Sequence, residues 1–216
     1  MVRALQEIDF LGRIDSFSEV TSKSRGLSQL IFFDSPKNGF SRFKILGISA
    51  FAHLILTEGD SRISRYYPFR IKAADSKRER QAAKVDFFER KSQIWIFSNR
   101  NESSEKLPTL SISGEDCDIV CRYASEIYKD ETLVDNWLVL CGYRNRARNF
   151  SLVSSRANLY NQMALCKSMR VVDILKMPEI NPALMLATIS HELATGALQA
   201  DLQSQLFCLN TEISKV

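Results

Sequence analysis

The sequence predicts a mixed α/β fold: a central sheet flanked by helices over residues 1–155, then a small helical domain over 156–216. Three observations support this. β-rich segments bounded by turn formers cluster between residues 66 and 97, an uninterrupted apolar stretch of helical character spans 46–57, and capped amphipathic helices follow residue 157.

Taken in order, Leu30–Phe33 is a short apolar strand, and the turn formers of Asp34–Gly39 mark a loop. Residues 46–57 contain no proline and few β-branched residues, so they read as a buried helix. Tyr66–Lys72, Ala83–Arg90 and Ser92–Phe97 are strands. Pro68 puts the first of these at a sheet edge or a strand start. The polar Arg90–Ser92 suits a hairpin turn between the other two, residues 73–82 form a charged connector, and 100–116 a polar loop. The spacing of Ile119, Tyr123 and Ile127 predicts an amphipathic helix over Asp118–Lys129. Asn136–Cys141 reads as an apolar strand, Tyr143–Phe150 as an extended basic stretch, Ala157–Cys166 as a helix, and Met169–Met177 as a short helix ended by Pro178.

Asn181 then caps a helix opened by Pro182 and stopped by Gly196, with Met185, Leu186, Ile189 and Leu193 as its apolar stripe. A short extended piece, Ala197–Leu202, follows. Helix, helix and short strand give the C-terminal domain a winged-helix-like outline.

Composition narrows the function classes. Of 216 residues, 45% are apolar and 25% charged, enough to bury a core. No run of 18 apolar residues exists, so no membrane span is expected, and the charged N-terminal stretch is unlike a signal peptide. Five cysteines without a CxxC pair read as reduced, buried thiols in a cytoplasmic protein. The net charge is only +4, but it is unevenly spread. Residues 61–100 hold eleven Lys/Arg against four Asp/Glu, residues 101–140 three against nine, and residues 141–170 six against none. Two basic blocks around an acidic one suit an anionic partner, with a solvated surface as the alternative.

One series of residues carries a family resemblance. It comprises Gly47-Ile-Ser-Ala50, Leu54-Ile-Leu-Thr-Glu58-Gly-Asp60, Tyr67-Pro-Phe-Arg-Ile71, Val85-Asp86-Phe87, and later His191-Glu-Leu193-Ala-Thr-Gly196 with Asp201-Leu202. In order and spacing it resembles the TnsA-type transposon-end endonucleases. The resemblance implies a restriction-endonuclease-like (PD-(D/E)xK) fold and DNA transposition as the process. It also implies double-stranded transposon ends as substrate, and a DDE-type transposase and an AAA+ regulator as partners. Nucleases of this class hold Mg²⁺ with clustered carboxylates, a lysine assisting. Matched residue by residue, the helix acid falls on Ala50, the strand aspartate on Asp86, and the Glu-x-Lys pair on Phe97 and Asn99. Only Asp86 retains its chemistry, so Mg²⁺ is implied only for an active enzyme.

The resemblance therefore implies a degenerate site in a subunit that binds transposon ends or the transposase. An active Mg²⁺-dependent endonuclease with relocated acids is the alternative. Glu58 would then be the second acid, or Glu89 with Lys91, which alternation puts on the side of the strand away from Asp86. Asp86 also reads as an ordinary solvated or hydrogen-bonded strand residue. A protein-interaction module without DNA binding is the second alternative.

For DNA, the expected contacts are Arg144, Arg146 and Arg148, which share one face if extended. Arg156 and the connector's Lys77, Arg78 and Arg80 join them; a solvated loop is the other reading of this stretch. The helix Asn181–Thr195 offers little to base edges and reads as a packing or partner-docking element.

Overall fold

The computed structural model describes residues 29–72, 79–98, 110–112, 115–177 and 180–216. Lys77, Arg78, Asn99, Pro178 and most of the expected 100–116 loop lie outside the described residues. The chain divides into two compact units. Of the described residues, 29–33, 42–53 and 62–126 form the first; 34–41, 54–61 and 127–216 form the second. The sequence-based division at 155/156 differs, because the long helix 131–146 and the two short segments 34–41 and 54–61 group with the C-terminal elements.

The elements open with β1 (Leu30–Ser35), a 3-10 turn at Pro36–Asn38, β2 (Ser41–Leu46) and α1 (Ile48–Gly59). Strands β3 (Ile63–Lys72), β4 (Glu79–Phe87), β5 (Gln93–Ser98), β6 (Leu110–Ile112) and β7 (Glu115–Tyr123) follow, then the short α2 (Ala124–Ile127). The remainder is α3 (Glu131–Arg146), α4 (Val153–Met163), β8 (Ser168–Arg170), α5 (Val171–Leu175), α6 (Pro182–Ala194), β9 (Leu198–Gln199) and β10 (Glu212–Lys215).

The first unit is built on a sheet of order β3-β4-β5-β7-β6. Its β5–β7 pair is parallel and its other pairs antiparallel, so the fold is α/β with a mixed sheet. Pro68 sits in the edge strand β3, where a missing N–H costs no ladder bond. Central β5 is buried from Ile94 through Phe97, as expected of a strand covered on both faces. Ile94, Ile96 and Cys117 form the core of one face, with Phe69, Ile71, Ile119 and Cys121 packed on it. On the other face, the first half of α1 sets His53 against the Phe97 ring, centroids 5.7 Å apart. His53 Nε2 also lies 3.1 Å from the Tyr123 carbonyl. Gln81 is buried and saturated: its amide N–H₂ donates to the Phe69 and Ala82 carbonyls, and its oxygen accepts from Leu46 N–H.

Three segments differ from the sequence-based expectation. The helix expected at 118–129 is largely strand β7. A spacing of four between Ile119 and Tyr123 fits a period of 2 as well as 3.6, and pairing with β5 decides it. The strand expected at Asn136–Cys141 lies inside α3, whose buried Val134, Trp137, Leu140 and Cys141 follow helical spacing once the whole segment is counted. The helix expected at 169–177 divides into β8 and the single-turn α5, because Ser168, Met169 and Arg170 pair with β10.

In the second unit, α3 and α6 pack together, and the Ser190 hydroxyl donates to the Leu140 carbonyl at 2.8 Å. The capping read from sequence is present: Asn181 Oδ1 accepts from Ala183 and Leu184 N–H, and Gly196 takes φ +75° past the helix end. From α4 onward the order is α4-β8-α5-α6-β9-β10, with sheet order β8-β10-β9. Buried Asn136 fastens the 202–207 segment, donating to the Leu202 and Gln205 carbonyls and accepting from Phe207 N–H.

Gly59 ends α1 directly against Trp137: a Cβ there would lie 1.8 Å from the indole Cε2. Gly59→Ala should therefore displace the indole and cost about 1–3 kcal/mol, as overpacking does. Urea unfolding followed by tryptophan fluorescence measures this; an unchanged midpoint would contradict the packing.

Candidate functional site

Asp86 lies near the end of β4, beside the turn to β5. The β3–β4 register slips between Ile63 and Arg65, and this bulge sets Arg65 opposite Asp86. Three side chains engage the carboxylate. Arg65 Nε donates to Oδ2 at 2.9 Å, Ser92 Oγ donates to Oδ1 at 2.6 Å, and Lys84 Nζ is 3.6 Å from Oδ1. The Ser64 hydroxyl donates to the Asp86 carbonyl at 3.0 Å. Burial raises the Asp86 pKa, but the Ser92 and Arg65 hydrogen bonds and the Lys84 charge outweigh it. The carboxyl is therefore held below its ordinary value. The bond to Asp86 raises the Arg65 pKa in turn. Asp86 thus braces the turn: it ties Ser92 on one side and the neighbouring strand on the other.

The register separates Asp86 from the other positions matched to the nuclease pattern. Lys84 faces Ile94 and Val85 faces Gln93 across the β4–β5 ladder. Side chains directly opposite share a sheet face, and neighbours along a strand alternate. Lys84, Asp86, Ser92, Ile94 and Ile96 therefore share one face, while Val85, Gln93, Trp95 and Phe97 share the other. Phe97 also lies about five residues along the ladder from Asp86, ~17 Å at strand rise. Ala50 is buried on α1, the helix whose His53 packs on Phe97. Ala50, Asp86 and Phe97 do not converge on one pocket.

The candidate relocated acids stand in other settings than the pattern requires. Glu89 and Lys91 are exposed on the turn after β4, not on a continuing strand. Glu58 belongs to the second unit and is fully buried there. It accepts from the Ser35 hydroxyl and from Lys37 N–H at 2.9 Å, with Arg144 Nη1 3.8 Å away. Among the described residues no group of three or more His, Cys, Asp or Glu is placed to hold a metal ion. Asp86, already neutralised by Arg65 and Lys84, does not fit a divalent cation.

The expected arginine stripe is also rearranged. In helical α3 residues two apart point to different sides, whereas i, i+4 pairs share one. Arg144 is nearly buried beside Glu58, and Arg148, just past the helix, pairs with Asp34 at 3.4 Å. Asn145 donates to the Asp34 carbonyl at 2.9 Å. Of the three, Arg146 is exposed and forms no ion pair among the described residues. Arg156, further on in α4, contacts buried Glu192 at 2.9 Å, and the Tyr160 hydroxyl donates to the same carboxylate. Arg80 is half-buried in β4.

Three further titratable groups of the second unit have shifted pKa values. Burial, then Arg144, lowers the Lys37 pKa against the pull of Glu58 and Asp60, and Lys37 Nζ donates to the Asp60 carbonyl. Burial and Glu58 push the Cys141 thiol well up, so it is not a thiolate nucleophile. Burial and Arg144 lower His191, which favours the neutral imidazole at pH 7.

A basic surface that the residue-by-residue reading missed lies around the β4–β5 turn. Arg62, Arg65, Arg90 and Lys91 are exposed there, and Phe88 N–H donates to the Arg62 carbonyl at 3.1 Å. Arg90 lies over the Phe87 ring at 3.5 Å, and Arg65 over Tyr67 at 5.4 Å. The excess charge of residues 61–100 pointed to it, but only the bulge in β3 brings Arg62 and Arg65 beside the turn. No family model matches the chain, and no curated protein matches it.

Two stability outcomes follow. Because the folded Asp86 pKa lies below the unfolded value, its contribution is present above pH ~4 and fades as pH falls through the folded value. The stability gap between wild type and Asp86→Asn should close on acidification below that point; a gap independent of pH would contradict the assignment. Arg144→Leu should cost about 3–5 kcal/mol by removing a cation from beside the buried Glu58 carboxylate. Arg146→Ala should stay within about 0.5 kcal/mol of wild type. Equal effects in urea unfolding would contradict the burial pattern.

Proposed function

We propose that this chain is a DNA-binding subunit that does not itself cut DNA, acting in a transposition complex. The observation that carries the reading is the state of Asp86. The one acid retained from the nuclease pattern is spent on Arg65, Ser92 and Lys84, and holds a basic turn in place. Arginine and lysine side chains on that turn suit phosphate contacts, which supply sequence-independent, salt-sensitive affinity.

The transposition context, with its DDE-type transposase, AAA+ regulator and cytoplasmic setting, is supported by the sequence resemblance to TnsA-type proteins. A mixed sheet is compatible with the restriction-endonuclease-like fold of that family. The resemblance matches the Glu-x-Lys pair to Phe97 and Asn99. Neither an acid nor a lysine stands there. The order α4-β8-α5-α6-β9-β10 supports the winged-helix-like reading of the C-terminal elements. In them α6 is buried over Met185, Ile189, Glu192 and Leu193, which argues against its entering a DNA groove. No helix among the described residues is long and apolar enough to cross a membrane.

A second reading, docking to a protein partner, is favoured by exposed apolar side chains of the second unit: Val139, Phe150, Val153, Leu165 and Leu206.

Fluorescence anisotropy with a labelled duplex tests the main reading. Binding is expected at low salt, with log K falling linearly against log salt at about −0.9 per phosphate neutralised. Supercoiled plasmid should remain intact in Mg²⁺ or Mn²⁺. Nicking that disappears in Asp86→Ala would overturn the non-cleaving assignment, and absence of binding at low salt would favour the protein-docking reading.

A further inference from the structure

We infer that the β4–β5 turn binds unpaired bases of DNA, with Phe88 as the stacking platform. This deepens the DNA-binding reading and rests on it. Phe88 is 71% exposed although it follows directly on Phe87, which is 9% exposed. The contrast has a local cause. Phe87 turns inward at the end of β4 and is covered by the Arg90 guanidinium, which leaves the next ring projecting from the turn. An exposed phenyl ring gains nothing for the fold.

The turn is also held rigidly from both sides. Phe88 N–H is fixed to the Arg62 carbonyl, and the Asp86 bridge to Ser92 closes the base of the turn. A ring carried on such a mount loses little conformational freedom on binding.

The surroundings favour a polyanion over a protein. Among the described residues on or beside the turn that carries Phe88, Arg62, Arg65, Arg90 and Lys91 are exposed, and Arg65 and Lys84 meet Asp86, with Glu89 as the other carboxylate of the turn. Interfaces between proteins deplete lysine and charge at their centre. A lone aromatic ring among cations is instead the pattern of single-strand binding, where phosphates meet the charges and base faces meet the ring. In a duplex those faces are covered by neighbouring bases. The complementary DNA is therefore a strand with unpaired bases, such as a flap or a frayed end.

The test compares a labelled single strand of about 15 nucleotides with a duplex of the same length. Wild type should bind the single strand more tightly. Phe88→Ala, at an exposed position that leaves the fold intact by circular dichroism, should weaken single-strand binding roughly 5- to 150-fold, the loss of one base stack. Phe88→Trp should retain affinity, with its emission quenched by the strand. If Phe88→Ala binds as wild type does while Arg90→Ala and Lys91→Ala weaken binding, the stacking inference is overturned and the DNA-binding reading stands. A wild-type preference for duplex likewise overturns it. If wild type binds neither DNA at low salt, both fall.

Discussion

Side chains of a β-strand alternate between the two faces of the sheet, and in β4 this constraint decides what Asp86 can do. Asp86 shares its face with Lys84, opposite Arg65 on β3 and beside Ser92 in the turn before β5, so cations and a hydroxyl surround it. Val85 turns the other way, with Gln93 opposite, and Phe97 lies further along that face against His53 of α1. A metal site would need acids gathered on one face at one end of the strand. Here the nearest partners of Asp86 are positive, and the carboxylate becomes a bracket for the turn. The bulge in β3 completes the arrangement, because without it Arg65 would point away from Asp86.

Much of the fold was legible in the sequence, and the failures have physical causes. Strands β3, β4 and β5, the helix at 48–59 and the capped helix at 182–194 were read from alternation, an unbroken apolar run and the Asn181-Pro182 start. The misread segments share one weakness. A spacing of four residues, as in Ile119 and Tyr123, satisfies both helical and strand periods, and only the parallel partner β5 resolves it. The run at 136–141 was read as a strand because the helical stripe begins earlier, at Val134.

The candidate site was less legible than the fold. The family resemblance singled out Asp86 but could not supply its neighbours, which come from a bulge in β3 and from the turn before β5. Arg144, Arg146 and Arg148 looked like a stripe only under an extended backbone. In the observed conformation Arg144 and Arg148 answer the acids of residues 34–60 in their own unit, and Arg156 answers Glu192. Buried carboxylates need such cations, since an unpaired buried charge is costly. Guanidiniums that appear free in a sequence are thus partly committed by acids distant along the chain. In the first unit, exposed Arg62, Arg65, Arg90 and Lys91 lie on or beside the β4–β5 turn.

The central claim is that Asp86 serves as a structural bracket and not as a metal ligand. A Mn²⁺ titration followed by amide NMR tests it most directly, since the paramagnetic ion broadens nearby signals selectively. The account predicts that the amides of Arg65, Asp86 and Ser92 broaden no more than those of exposed surface carboxylates such as Glu131. Selective loss of those three signals at low Mn²⁺ would show an ion seated at Asp86 and contradict the account.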